Sequence, residues 1–295
     1  MSIAETNVIS ALHYPSLQSA RNTEFINNYY ALSQEPMNLR AVGQKWFDRT
    51  YRRECARQHS VGLILGGTPW LGTLLKKKLK RTIMVDINPA MLDTAESAIK
   101  STSDAHGGEV EYVCANWVAM PRFSSEIDVI AGDNCLNFLQ YPEGWCHFFD
   151  DLVPRLSRNA ELIIRFIAIP ATHEAMSVDE IVEKYSAADS INYTQVRAHL
   201  LLAHWEPGLM AIRTEHVVDI FEANRSKFDP LFRKFPAPQN DLVTITKFKN
   251  SGFVLFSPPL EELLRFLSSY FQVKSVHFGP YGLSEYFPII VAKRR

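Results

Sequence analysis

The stretch VGLILGGTPWLGTLLKKKLKRTIMVDINP, residues 61–89, decides the fold. Val61 to Leu65 is an apolar run short enough for a strand buried on both faces, and Gly66-Gly67-Thr68-Pro69 is turn chemistry. Residues 71–80 carry apolar side chains at helical spacing, and 82–86 form a second apolar run that ends on an acid. Strand, glycine turn, helix, strand, acid is the order of a doubly wound α/β sheet, whose ligands lie at the carboxyl ends of the strands. Asp86 follows Gly66 by twenty residues, a spacing that suits a side chain accepting hydrogen bonds from ribose hydroxyls.

The same alternation continues downstream. Strands are expected at 61–66, 82–86, 110–115, 127–131 and 161–167, with helices at 71–80, 89–102 and 144–156, which implies a mostly parallel sheet covered on both faces. Gly66, Asp86, Asn116 and Asp133 then fall on one rim. The turn itself separates two classes of adenosine cofactor. A dinucleotide carries a pyrophosphate and favours G-x-G-x-x-G before a helix N-terminus, whereas this turn reads Gly66-Gly67-Thr68-Pro69-Trp70-Leu71-Gly72, and Pro69 removes one N–H donor. S-adenosyl-L-methionine has no phosphate and needs only a close-fitting backbone.

On these residues the chain resembles the class I S-adenosylmethionine-dependent methyltransferases. Leu63 to Leu71 looks like their glycine-rich first motif in a bacterial L-G-x-T-P form, and Ile83 to Leu92 is similar to the second-strand motif that ends in the ribose acid. Glu111 to Trp117 matches the third-strand position that faces adenine, and Ile127 to Asn137 is similar to the fourth-strand motif backing the methionine end. The resemblance implies a Rossmann-like methyltransferase fold with an antiparallel last strand, residues 60–170 holding the closest agreement and 281–293 a weaker one. It implies S-adenosyl-L-methionine as cofactor, S-adenosyl-L-homocysteine as product, and a cofactor set of Gly66, Gly67, Thr68, Asp86, Ile87, Met91, Ala115, Asn116, Trp117, Asp133 and Asn134. Two departures stand out. Ile64 and Trp70 occupy places where the family keeps an acid for the methionine ammonium, and Asp133-Asn134-Cys135-Leu136 is not the Asn-Pro-Pro-aromatic tetrad of enzymes that methylate bases or glutamine side chains.

Composition narrows the partners. A net charge of −1 over 295 residues gives no footprint for nucleic acid, whose binding rests on neutralising phosphates. The one basic run, Lys76 to Arg81, reads as a solvated helix end. No stretch approaches a membrane span and the N-terminus has no leader pattern, so a cytoplasmic protein is expected, with a homodimer left open. Cys55, Cys114, Cys135 and Cys146 lack C-x-x-C spacing and read as reduced core residues. The spacing of His199, His204 and His216 does not suit a metal site.

The chain reads as one methyltransferase domain: a helical cap at 1–58, the cofactor core at 59–170, a helical lid insertion at 171–250, and a helix with two strands completing the sheet at 251–295. Within the insertion, Ser177-Val-Asp-Glu180 is a capping box, and helices are expected at 193–205 and 214–226. The expected activity is methyl transfer to oxygen or nitrogen of a small-molecule acceptor. Candidates for a base are Tyr30, Asp133, His199 and His204; for the substrate, Tyr29, Arg165, Arg197 and Trp205. Arg165 sits in an apolar strand, where a charge needs a partner such as Asp133 or Glu161. The competing readings are a catalytically silent cofactor-binding scaffold of the same fold and an NAD(P)-dependent oxidoreductase.

Overall fold

The computed structural model describes residues 49–51, 53, 60–101, 107–236, 249 and 252–295. These fall into two compact units, a core unit drawn from residues 40–170 and 258–295 and a second unit drawn from 171–257. The helix expected at 19–32 lies outside the described residues; of the one expected at 39–58, residues 49–51 and 53 are described and are helical.

The core unit begins with β1 (Val61–Leu65), α1 (Pro69–Lys76), β2 (Arg81–Asp86), α2 (Pro89–Ser101) and β3 (Glu109–Cys114). It continues with β4 (Ile127–Asp133), α3 (Glu143–Leu152) and β5 (Leu156–Arg165). The seven-stranded sheet has the order β3-β2-β1-β4-β5-β10-β9, in which β9 (Phe271–His277) and β10 (Ile289–Arg294) follow a helix at Leu260–Leu267. Only the pairs made by β10 are antiparallel. The order reverses between β1 and β4, so chain leaving these two neighbours departs in opposite directions and opens a crevice at their carboxyl ends.

Apolar runs make this sheet because both faces are covered. Leu63, Ile64, Leu65, Ile83, Met84, Val85, Ile130, Leu162 and Ile163 are fully buried, each contributing roughly 1.5 to 3 kcal/mol relative to exposure. Ile64 pairs in register with Met84 on one side and Ala131 on the other. Ile64 is fully buried, where a carboxylate without a partner would be costly. Trp145 and Phe149 of α3 pack against Phe266, and Phe149 also against Tyr270 and Phe271, forming an aromatic cluster on one flank of the sheet.

Among the boundaries that differ from the sequence reading, three have identifiable reasons. α1 stops at Lys76, and Lys77 and Lys78 turn back on Leu75 instead of continuing the helix to 80. α3 stops at Leu152 because Pro154 enters a short 3-10 turn, Val153–Arg155. β5 starts at Leu156, five residues early, since the polar Ser157, Arg158 and Asn159 extend an exposed strand end that hydropathy reads as loop.

The second unit contains α4 (Val178–Ser186), α5 (Tyr193–Ala203), β6 (Trp205–Glu206), β7 (Ala211–Arg213), α6 (Thr214–Ala223), α7 (Arg225–Lys234) and β8 (Val254–Phe256). The capping box is formed: Glu180 N donates to Ser177 Oγ at 3.3 Å and Ser177 N to Glu180 Oε2 at 2.7 Å. The insertion is not wholly helical, however. β6, β7 and β8 make an antiparallel three-stranded sheet, and strands of two or three residues are too short to show a period. The helix expected at 214–226 ends at Ala223, and α7 follows with Pro230 inside it, a residue that reads as a breaker in sequence. The helix at Leu260–Leu267, here α8, returns the chain to the core unit.

Candidate functional site

The rim at the carboxyl ends of β1, β2 and β3 is built around Asp86. Gly66, at φ +98°, turns the chain out of β1 in a conformation that side-chain-bearing residues avoid. A Cβ on Gly66 would lie 3.7 Å from Thr68 Oγ1, 3.8 Å from Trp117 Cζ2 and 3.9 Å from Asp86 Oδ2, so these three side chains face the same small space. Gly67 N donates to Asp86 Oδ2 at 2.8 Å, and Asn88 N donates to Asp86 Oδ1 at 2.8 Å. Of these two bonds each carboxylate oxygen accepts one, and a carboxylate oxygen has two lone pairs. Burial raises the Asp86 pKa above the ordinary carboxylate value, against the backbone N–H groups of Asn88, Gly67 and Ile87, which favour the charged form.

Gly67 also makes room within the fold. A Cβ there would meet Met91 O at 2.8 Å and the Met91 carbonyl carbon at 2.9 Å, so its missing side chain admits the start of α2. Asn88, not singled out in sequence, accepts from Ala90 N at 2.9 Å and so braces the start of α2 behind Asp86. Thr68 precedes α1 without making a side-chain cap.

Beyond β3, Asn116 caps the 3-10 turn Trp117–Ala119, its Oδ1 accepting from Val118 N at 3.2 Å. Trp117 Nε1 donates to Val85 O at 2.8 Å, and the same carbonyl accepts from Gly66 N at 2.8 Å. One carbonyl thus ties the indole to the glycine turn. Ala115 N donates to Asp86 O at 3.0 Å, which keeps the third-strand loop beside the acid.

At the ends of β4 and β5, Asp133 and Arg165 are register partners, and Arg165 Nε donates to Asp133 Oδ1 at 2.5 Å. Burial works against the guanidinium charge, but Asp133, with Tyr281 and Tyr51 close by, outweighs it and raises the Arg165 pKa. Arg165 therefore pairs internally with Asp133, one of the two partners expected. Tyr51, which sequence reading passed over, is fully buried and donates to Gly132 O at 2.7 Å, and its ring meets Trp70 edge-on with centroids 5.5 Å apart. Asn134 is buried at φ 52°. Cys135 is buried and its thiol pKa is pushed far up by burial and by Asp133, so it is no thiolate nucleophile. Cys114, expected in the core, is exposed at the end of β3.

Arg197, His199, His204 and Trp205 belong to the second unit. His199 is buried, and its bonds fix its tautomer: Nδ1 donates to Gln195 O at 3.1 Å, because a carbonyl can only accept, and Nε2 accepts from Lys184 Nζ at 3.2 Å. Tyr185 Oη lies 2.7 Å from the same Nδ1. Burial first, and then Lys184, lower the His199 pKa, and His204 is lowered by burial and by His216, whose ring centroid is 5.7 Å away. Trp205 Nε1 donates to Ser257 O at 2.9 Å. Tyr29 and Tyr30 lie outside the described residues. Among the described residues no group of three His, Cys, Asp or Glu side chains could hold a metal ion, and no helix is long and apolar enough to cross a membrane.

No protein-family model and no curated protein sequence matches the chain. Solved structures do. Magnesium protoporphyrin IX methyltransferase from Synechocystis, with S-adenosylmethionine bound, aligns over 100% of this chain and 99% of its own at 10% identity and a TM-score of 0.50. An N1-methyltransferase of 1,6-didemethyltoxoflavin from Burkholderia thailandensis aligns over 93% and 88% at 9% identity and 0.51. The chain has the class I methyltransferase fold. A protein from Rhodobacter sphaeroides provisionally named a zinc-dependent alcohol dehydrogenase, at 12% identity and a TM-score of 0.54 over 94% and 100%, shares it. At these identities the methyltransferase fold is what the likeness carries, and chemistry has to come from the side chains on its rim.

Proposed function

We propose that this protein binds S-adenosyl-L-methionine and transfers its methyl group to oxygen or nitrogen of a small molecule. The observation that carries the reading is the Asp86 carboxylate, oriented by Gly67 N and Asn88 N at the strand end and facing the space beside Gly66. Two hydroxyls on adjacent ribose carbons need two acceptors in one plane, and the remaining lone pairs of Oδ1 and Oδ2 supply them. Trp117, pinned by Val85 O, offers a flat surface for adenine, and Asn116 retains a lone pair on Oδ1 for an exocyclic amine. The turn supports this cofactor over a dinucleotide, since Thr68-Pro69 opens α1 without the full set of N–H donors that a pyrophosphate requires.

The bound cofactor supplies a sulfonium methyl group that is already activated. The chain's own share is to hold the ribose and adenine rigidly, to place the acceptor atom in line at about 3 Å from the methyl carbon, and to keep water out. Asp133 is held by Arg165 and Cys135 stays protonated, so the described core rim offers neither as a free base. An acceptor atom with its own lone pair suits this rim. His199 has both ring nitrogens committed, to Gln195 O and to Lys184 Nζ, so a base for a hydroxyl acceptor would come from Tyr30 or His204, with Tyr29, Arg197 and Trp205 as the proposed substrate contacts.

A silent cofactor-binding role is favoured by one feature: neither Ile64 nor Trp70 supplies the acid that the resembled family sets against the methionine ammonium, and Asp133 is already paired. Mass spectrometry of ligands released from the purified protein tests the cofactor. S-adenosylmethionine or S-adenosylhomocysteine supports the proposal, and retained nicotinamide dinucleotide contradicts it. A methylated product formed from any acceptor then separates the enzyme from the scaffold.

A further inference from the structure

In the second unit the β6–β7 hairpin brings together two histidines twelve positions apart, His204 and His216. Trp205 pairs with Ile212 and Glu206 with Ala211, so the end of α5 and the start of α6 meet at the open end of the hairpin. Both sides are fastened there. His204 N donates to Leu201 O at 3.1 Å as the C-cap of α5, and Trp205 Nε1 donates to Ser257 O at 2.9 Å. Thr214, the first residue of α6, donates through N and Oγ1 to Phe253 O at 3.0 and 2.9 Å. The two imidazole rings stand with centroids 5.7 Å apart and planes inclined at 37°. Other histidines have their nitrogens occupied: His199 bonds through both, and His277 Nε2 lies 2.8 Å from Ser275 Oγ. Neither ring of this pair makes a hydrogen bond among the described residues, and His204 Nε2 is buried without a partner. A buried imidazole nitrogen left unbonded is costly. With no hydrogen bond to fix its orientation, either ring is free to turn a nitrogen toward the other.

We infer that His204 and His216 bind one first-row divalent metal ion between them, of the class zinc, nickel or copper. An imidazole nitrogen lies about 2.0 to 2.1 Å from zinc, which sets two rings sharing one ion at roughly 5 to 6 Å between centres. The observed separation falls in that range. Imidazole suits these ions, whereas magnesium and calcium take oxygen ligands. The carboxylates next in sequence are committed elsewhere, Glu206 to Arg213 at 3.0 Å and Glu215 to Gly252 N at 2.5 Å. Water, or a donor atom of a bound small molecule, therefore completes the coordination, and the site is an exchangeable one rather than a closed centre of four protein ligands. Spacing in sequence conceals it because a hairpin, and not one face of a helix, makes the pair. An ion held here takes His204 out of the bases open to a hydroxyl acceptor, and the site stands whether or not the cofactor reading does.

Isothermal titration of zinc chloride into the full chain without an affinity tag, as wild type, His204→Gln and His216→Gln, tests this. Wild type is expected to show one zinc-binding step that each variant loses or retains about a hundredfold more weakly, with magnesium chloride failing to compete. Zinc taken up by thiols such as the exposed Cys114 is common to the three proteins and cancels in the comparison. Thermal midpoints measured without metal report whether the variants are folded, and zinc should raise the midpoint of wild type alone. A zinc-binding step that persists unchanged in either variant overturns the inference, since the pair is then not the site. Long-range proton–nitrogen correlation spectra of wild type give an answer that needs no variant. One equivalent of zinc should shift the imidazole signals of two histidines, and a shift of one or none overturns the inference.

Discussion

Asp133 and Arg165 stand opposite each other in the β4–β5 register and form an ion pair at 2.5 Å with both side chains nearly removed from solvent. The fold thus spends on itself the one acid that the fourth-strand motif brings to the rim. Breaking a buried pair leaves an uncompensated charge, so Arg165→Met is expected to destabilise the protein by about 3 to 5 kcal/mol. The double variant Arg165→Met with Asp133→Leu should recover much of that loss, since two apolar groups leave nothing unpaired. Urea unfolding of wild type and the two variants reads this out. A single variant as stable as wild type would mean that the pair contributes nothing.

Gly67→Ala separates packing from ligand contact. The added methyl would press on the Met91 backbone at 2.8 to 2.9 Å, and overpacking of this kind costs roughly 1 to 3 kcal/mol. A lower thermal midpoint without ligand is the expected result, and an unshifted midpoint would return Gly67 to a purely ligand-facing role.

Acid should weaken the second unit. The His199 pKa is lowered in the fold by burial and by Lys184, and His204 and His173 are lowered by burial. An unfolded imidazole takes up a proton near pH 6.5, while these folded ones resist it. Their contribution is therefore complete above about pH 6.5 and falls as pH drops from there toward the folded values, by at most about 1.4 kcal/mol per pH unit for each residue. Thermal unfolding at pH 7.5 and 5.5 should show a lower midpoint in acid, with a smaller drop in His199→Gln. Greater stability at pH 5.5 would contradict the assignment of His199 as a neutral Nδ1–H tautomer.

Asn116 is expected to serve twice. Asn116→Ala removes the cap on Val118 N, worth about 1 kcal/mol of stability, and removes the acceptor proposed for adenine, worth about 0.5 to 1.5 kcal/mol of S-adenosylhomocysteine affinity. Asn116→Asp keeps an acceptor for both and should restore both. Lost stability with intact affinity would confine Asn116 to the capping role.

The sheet was legible because its central strands β1, β2 and β4 carry runs of buried apolar residues bounded by turn chemistry. Gly66, Asp86 and Trp117 were legible because turn chemistry and the spacing of about twenty residues to an acid are local in sequence. What escaped has non-local causes. Tyr51 reaches Gly132 across 81 positions, and Asn137 spans 30 positions to bond both the N–H and C=O of Ile167, extending the β4–β5 contact past the strands. The strands β6, β7 and β8 are too short to show alternation, and no sequence rule reveals that Gly67 is needed by Met91. The acceptor stayed illegible because its proposed contacts, from Tyr29 to Trp205, lie in segments without a motif.

The most direct test of the central claim is isothermal titration of S-adenosylhomocysteine into wild type and Asp86→Ala. The Asp86 carboxylate, already ordered by Gly67 N and Asn88 N, is expected to supply roughly 1.5 to 3 kcal/mol through charge-assisted bonds to the ribose. Saturable 1:1 binding to wild type, weakened by about ten- to a hundredfold in the variant, is the result the account predicts. Equal affinity in the two proteins, or no binding to wild type while NADH binds, would contradict it.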